Sequence, residues 1–211
     1  MSDTERHQQS GARRLVLASQ SPRRQALLEQ LGLAFEVVAE GPDDPPLAPG
    51  LPPTEACAAA AVAKARAVSR GRPGHLVLGA DTIVCLAERI FGKPEDEADA
   101  ARMLQELSGR SHTVRTGVAL VCHDDAGSRP ERDGLLAVRS VATTVRFRKL
   151  TDAQIARYVA TGEPLDKAGA YGIQGRGAAL VEAIEGDYFN VVGLPLATVC
   201  EMLALVGIEV P

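Results

Sequence analysis

Aromatic side chains are scarce: four Phe, three Tyr and no Trp serve 211 residues. Platforms that stack single-stranded nucleic acid need several exposed aromatics beside basic residues, so a nucleic-acid polymer is not an expected partner. The charge balance points the same way. Lys and Arg number 23 against 27 Asp and Glu, a net charge of −4, and no long basic run is present. Such a chain is a poor general binder of polyanions, although a local cluster of Arg and Lys could hold a small one. Cysteine pairs are missing as well: Cys57, Cys85, Cys122 and Cys200 show neither CxxC nor zinc-knuckle spacing, and isolated thiols fit a reducing cytosol. His7, His75, His112 and His123 make no HxxxH or HExxH pair, which leaves a histidine zinc site without support. Long apolar runs are lacking too. The longest, 56–63, is closed by Glu55 and Lys64, far short of the ~18 residues of a membrane span. The stretch after Arg13 and Arg14 is apolar only from Leu15 to Ala18, too short for a signal peptide, so a cytoplasmic protein is expected.

What is present is a globular balance of 45% hydrophobic and 24% charged residues, with a core that must be built from Leu, Val, Ile and Ala. Leu15 to Ala18 reads as a buried strand, and Ser21-Pro22 opens a helix with Ser as N-cap and Pro at the first helical position, ending at Gly32. Phe35 to Val38 reads as a strand. The six prolines between Gly41 and Pro53 predict an irregular loop that could serve as a flap, and Thr54 is the expected cap of an Ala-rich helix reaching Ser69. Strands are expected from His75 to Leu86, returning through Arg89 to Gly92, and as a hairpin of 113–121 with 135–147. Helices are expected from Glu95 to Gly109, from Thr151 to Ala160 and from Pro195 to Val206. No internal repeat appears, and one α/β domain over 13–211 behind a flexible segment 1–12 is predicted.

Three segments could carry chemistry. Ser19-Gln20-Ser21-Pro22-Arg23-Arg24 lies where a strand feeds a helix N-terminus, whose free N–H groups attract anions. Arg in a first turn opposes the helix dipole, a penalty that a bound phosphate would reverse. The plainer alternative is that Ser21 only caps and both Arg face solvent. Asp81 sits inside the apolar run Leu76 to Val84, where a carboxylate costs several kcal/mol unless a cation, a metal or hydrogen-bond donors compensate it. Lys64 and Lys93 are plausible partners, and a strand-end Asp in a turn is the alternative. The segment Asp166 to Gly177 has glycines at 169, 172, 175 and 177, which let backbone approach a ligand but match neither the P-loop nor GxGxxG. Gln174 within it offers an amide donor and acceptor that could read a base edge, or could simply lie on the surface.

Together these pieces resemble the Maf family. They are Leu-Ala-Ser-Gln-Ser-Pro-Arg-Arg (17–24), Gly-Ala-Asp-Thr (79–82), Gly-Lys-Pro (92–94), Met-Leu-Gln-Glu-Leu-Ser-Gly-Arg-Ser-His (103–112) and Asp-Lys-Ala-Gly-Ala-Tyr-Gly-Ile-Gln-Gly (166–175). The resemblance implies an α/β fold of the inosine triphosphate pyrophosphatase type: an elongated mixed β-sheet flanked by helices, with two lobes around a central cleft, commonly as a homodimer. It implies hydrolysis of a nucleoside triphosphate, dTTP or UTP in the branch similar to this sequence, to monophosphate and pyrophosphate with Mg²⁺ or Mn²⁺. Modified pyrimidine nucleotides are further implied substrates. By the family pattern Asp81 is the catalytic carboxylate, as proton acceptor or metal ligand. Ser19, Ser21, Arg23, Arg24, Lys64 and Lys93 map to the phosphate-binding set, and Arg23, Thr82 and Gln174 to the specificity set. Glu40 maps to an acidic metal position whose usual acidic neighbour is replaced here by Ala39. A competing reading, suggested by the family's older association with septum formation, is a nucleotide-binding regulator of cell division that acts without catalysis.

Overall fold

Short β-branched and leucine-rich runs supply the strands, and their register decides where the sheet opens. The computed structural model describes residues 13–38, 50–123 and 134–210; the predicted flexible segment 1–12, most of the proline loop, Glu40 and most of the link between the hairpin strands lie outside them. Strand β1 (Leu15–Ala18) is buried along its whole length, helix α1 (Pro22–Gln30) follows, and β2 (Phe35–Val37) pairs parallel to β1. Helix α2 (Pro53–Ser69) leads to the central strand β3 (Leu76–Leu86) and its short antiparallel partner β4 (Arg89–Phe91). Helix α3 (Glu97–Leu107) precedes the long hairpin of β5 (Ser111–Cys122) and β6 (Leu135–Phe147). Helix α4 (Asp152–Val159), a series of 3₁₀ turns through the glycine-rich segment, β7 (Val181–Glu185), α5 (Tyr188–Val192) and α6 (Leu196–Ala204) complete the order.

Among the described residues one mixed sheet of order β2-β1-β3-β5-β6-β7 carries β4 on the edge of β3. The strand β1 pairs with β3 only as far as Gly79, and β4 pairs with it only from Val84. Among the described residues, the intervening Ala80 to Ile83 therefore have no strand beside them on that edge, and they lie at the carboxyl end of β1, where open α/β sheets form crevices. Alternation along β3 sends Asp81 and Thr82 to opposite faces.

Helix α2 covers one face at unusually short range. A Cβ on Gly79 would stand 2.4 Å from the Ala61 carbonyl oxygen, and one on Gly117 would stand 2.3 Å from that of Cys57. Only glycine on the strands permits this approach, with Ala60, Ala61 and Ala65 buried on the helix. Two larger cores lie end to end on the opposite face. One is built on Leu17, Leu28, Leu78, Leu120, Leu194 and Leu203, and the other on Phe91, Leu104, Leu107, Phe147, Tyr158 and Tyr171.

Two caps differ from expectation. Ser21 occupies the N-cap of α1 but makes no side-chain cap bond; the Ser19 hydroxyl accepts from the Ser21 N–H at 3.3 Å instead. Helix α2 starts one residue before Thr54, with Pro52 at the N-cap and Pro53 at the first helical position, where a missing N–H costs nothing. Thr151 makes the full capping box with Gln154. Strand β7 and helix α5 were not legible because each is only five residues long, too short for a period to register.

Candidate active site

The unpaired edge of β3 opens into a cavity of about 640 Å³ at the seam between the two large cores, with Ile173 and Val192 contributed from one side and Val84, Val114 and Tyr171 from the other. Nine residues singled out from the sequence line it: Ser19, Ser21, Arg23, Arg24, Lys64, Asp81, Thr82, Lys93 and Gln174. The tenth, Glu40, lies outside the described residues. Among the described residues, five cationic side chains (Arg23, Arg24, Lys64, Lys93, Lys167) face two carboxylates (Asp81, Asp166) across this space. The described lining of this acidic chain's cavity thus carries three positive charges in excess, an environment suited to a small polyanion.

On the face covered by α2, the Lys64 ammonium lies 2.6 Å from Asp81 Oδ1, with the side chains 11% and 8% exposed. Lys64, rather than Lys93, is the partner the buried carboxylate required, and the glycine contacts of α2 set the helix close enough to deliver it. On the other face Arg24 donates to the Gly193 carbonyl (2.8 Å), to Ser19 Oγ (3.2 Å) and to Thr82 Oγ1 (2.9 Å). Thr82 Oγ1 stands 3.0 Å from Thr116 Oγ1, which donates to the Asn190 carbonyl at 3.0 Å. With Arg24 donating into Thr82 and Thr116 donating onward, the Thr82 proton is directed to Thr116. Its hydroxyl holds Arg24 in place rather than pointing freely at a ligand.

Arg23 spans the cavity to Asp166 Oδ2 at 3.0 Å, and Lys167 bonds the other carboxylate oxygen. Burial would raise the Asp166 carboxyl, but the bonds from Lys167 and Arg23 outweigh it and hold it below the ordinary range. Tyr171, Tyr188 and Phe189 provide no stacking platform. Tyr171 borders the cavity with its ring packed edge-on against Phe147 and His112, and its hydroxyl lies 2.8 Å from His112 Nε2. Tyr188 and Phe189 pack on each other and do not line the cavity.

Several supporting residues escaped the sequence reading. Thr116 and Asn190 are fully buried polar groups, and the Asn190 amide bonds the Val114 carbonyl (3.1 Å) and Thr143 Oγ1 (2.9 Å), tying α5 to β5 and β6. Glu163 and Tyr158 hold the glycine-rich segment. A Thr inside a strand gives no sequence signal that distinguishes it from an ordinary β-former.

Among the described residues no group of three or more His, Cys, Asp or Glu is placed to hold a metal. The Asp81 carboxylate nevertheless suits a hard cation that completes its shell with substrate phosphate oxygens and water, as Mg²⁺ commonly does.

Comparison with known proteins adds a family. A profile described as Maf-like protein matches residues 14–206. A dTTP/UTP pyrophosphatase of Moorella thermoacetica is 57% identical over 197 residues, 93% of this chain and 97% of its own length. One of Gloeobacter violaceus is 52% identical over 191 residues, 90% of this chain and 95% of its own. Among solved structures, a nucleoside-triphosphatase (dITP/XTP pyrophosphatase) from Mycobacterium abscessus aligns over 92% of this chain and 98% of its own at 16% identity and a TM-score of 0.45.

Proposed function

The chain belongs to the Maf-like protein family, and from that premise we infer that it is a nucleoside triphosphate pyrophosphatase that hydrolyses dTTP and UTP to the monophosphate and pyrophosphate. The observation that carries this reading is the positively charged cavity around one buried carboxylate, formed by residues from seven separate stretches of chain. Phosphoryl transfer is governed by positioning and charge neutralisation, and the cavity provides both.

In the proposed mechanism the triphosphate lies along Ser19, Ser21, Arg24, Lys64 and Lys93, against the N-terminus of α1. A water adds to the α-phosphorus, its proton passes to the Asp81 carboxylate, the α–β bridging P–O bond breaks, and pyrophosphate leaves. Lys64 sits beside Asp81, where it neutralises phosphate charge as the bond breaks. Thr82 acts through Arg24, and Arg23, held by Asp166, borders the nucleoside end. Gln174 reads the pyrimidine edge, because a Gln amide can pair with the 4-carbonyl and N3–H of uracil or thymine. Mg²⁺ or Mn²⁺, held by Asp81 with Glu40 and the nucleotide phosphates, would supply further charge neutralisation when bound. A homodimer in the cytoplasm belongs to the same proposal. A purely regulatory nucleotide binder would have no use for a carboxylate buried beside the phosphate site, and no feature of the cavity favours it.

The test is product analysis with pure protein, UTP or dTTP, and either cation. Monophosphate with pyrophosphate is expected, and chelation by EDTA stops the reaction. Asp81→Asn loses at least ~100-fold in kcat, the lower end for a general acid–base group. Diphosphate with inorganic phosphate, or undiminished turnover by Asp81→Asn, would overturn the mechanism.

A further inference from the structure

Gln174 stands on the surface side of the cavity, exposed, on a segment with four glycines in nine residues. A long amide on a free loop would adapt to more than one base edge, since rotating it exchanges donor and acceptor. The loop is not free. The Glu163 carboxylate accepts from the Arg176 N–H at 3.0 Å through Oε2, and from the Gly177 N–H at 3.0 Å through Oε1. The Tyr158 hydroxyl donates to Glu163 Oε1 at 2.9 Å and accepts from the Gly172 N–H at 3.2 Å. Both ends of the segment 172–177, with Gln174 between them, are thus tied to one carboxylate and one phenol.

The fit leaves no slack. A Cβ on Gly177 would stand 2.2 Å from the Gly172 carbonyl oxygen and 2.6 Å from the Tyr158 hydroxyl, so the two ends of the loop close on each other through a glycine. Lys167 completes the assembly by donating to the Glu163 carbonyl at 2.7 Å while bonding Asp166, the partner of Arg23. Burial opposes the charge on Glu163, yet the N–H bonds from Gly177 and Arg176 and the Tyr158 hydroxyl bring its carboxyl below the ordinary range, so it accepts these bonds as a carboxylate at neutral pH. Neither Glu163 nor Tyr158 lines the cavity.

We propose that Glu163 and Tyr158 form a clamp that positions Gln174, making them specificity-determining residues of this enzyme without touching substrate. The proposal rests on the reading of Gln174 as the pyrimidine-edge reader. The clamp holds the backbone on both sides of Gln174 so that its amide meets one edge, that of uracil or thymine, and not the cytosine edge with its reversed donor and acceptor. Contacts held by packing and by hydrogen bonds behind the site are what give such discrimination.

The experiment measures kcat and KM for UTP and CTP with the wild type, Glu163→Gln, Tyr158→Phe, Gln174→Ala, and the double variant Glu163→Gln/Gln174→Ala. Glu163→Gln keeps the side-chain shape and one acceptor; Tyr158→Phe keeps the ring and is the milder change if the first destabilises the fold. Both should lower the UTP-over-CTP ratio of kcat/KM about tenfold, through KM for UTP, with kcat within twofold. In the double variant the Glu163 change should add nothing to the Gln174 change. If Gln174→Ala shifts the ratio while both clamp variants leave it unaltered, the clamp is refuted and the reading of Gln174 stands. If Gln174→Ala leaves the ratio unaltered, that reading fails and the clamp's role fails with it. An equal loss on UTP and CTP would reduce Glu163 and Tyr158 to structural supports and also overturn the proposal.

Discussion

His112 is 3% exposed, with Nε2 on the Tyr171 hydroxyl and Nδ1 without a partner among the described residues. Burial drives its imidazole down to about 4. In the unfolded chain the ring takes up a proton near its usual 6.5, whereas the folded protein excludes that proton until much lower pH. Stability from this residue is therefore complete above pH 6.5 and is lost as pH falls toward 4, by about 2 kcal/mol at pH 5 and roughly 3 kcal/mol at pH 4. Urea unfolding at pH 7 and pH 5 checks this: the wild type should lose about 2 kcal/mol more over that interval than His112→Gln, which has nothing to titrate. Equal losses would show that the ring takes up its proton over the same pH range in the folded protein as in the unfolded chain. Asp81 illustrates a different residue-scale lesson. Its need for a partner was legible from one carboxylate in an apolar run, but the choice of Lys64 over Lys93 was not, because both lysines were compatible with the spacing.

At the scale of elements, the decisive contact is α2 on β3 and β5. The Ala-rich composition of α2 was visible in the sequence, as was Gly79 beside Asp81, yet no local rule pairs Ala61 with Gly79 or Cys57 with Gly117 across so many residues. Gly117→Ala should force the helix backbone outward, since the new methyl would meet the Cys57 carbonyl carbon and oxygen at 2.5 and 2.3 Å. Overpacking against backbone should cost about 2 kcal/mol or more, which for a chain of this size lowers Tm by roughly 5 °C. Because α2 also carries Lys64, kcat should fall with Tm; calorimetry beside a turnover assay would expose a helix that can shift without consequence. Most other elements were readable from composition and periodicity: Thr151 caps α4 as expected, whereas α3, expected from Glu95, starts at Glu97 behind Asp96, whose side chain accepts from the Asp99 N–H. Segments shorter than two turns or without alternation, such as α5 and β7, exist only because neighbours hold them, through Asn190 and through pairing with β6.

At the scale of the molecule, the cavity joins two cores along one sheet, and a bound triphosphate would bridge them. A nucleotide that is not cleaved, α,β-methylene-UTP, should accordingly stabilise the folded state by about 2.7 kcal/mol at a hundred times its Kd, raising Tm by roughly 5–10 °C. Uridine should give far less at the same concentration, because it carries no phosphates to meet the cationic side chains of the cavity. A shift equal for both ligands would mean that the cationic lining contributes little to binding. No helix among the described residues is long and apolar enough to cross a membrane, in keeping with the short apolar runs.

The sequence by itself determined which chemical groups are available: a carboxylate that burial made expensive, cations near a helix N-terminus, a glycine-rich segment bearing an amide, and too few aromatics to stack a nucleic-acid chain. These properties are local and follow from composition and spacing. Only the tertiary structure decided how the groups meet. The gap beside Ala80 to Ile83 comes from where β1 stops and β4 starts, the Lys64 pairing from a helix that glycines admit at short range, and the hold on Gln174 from Glu163 and Tyr158 on another element. Each depends on distances between segments remote in the chain, which packing sets and local propensity does not encode.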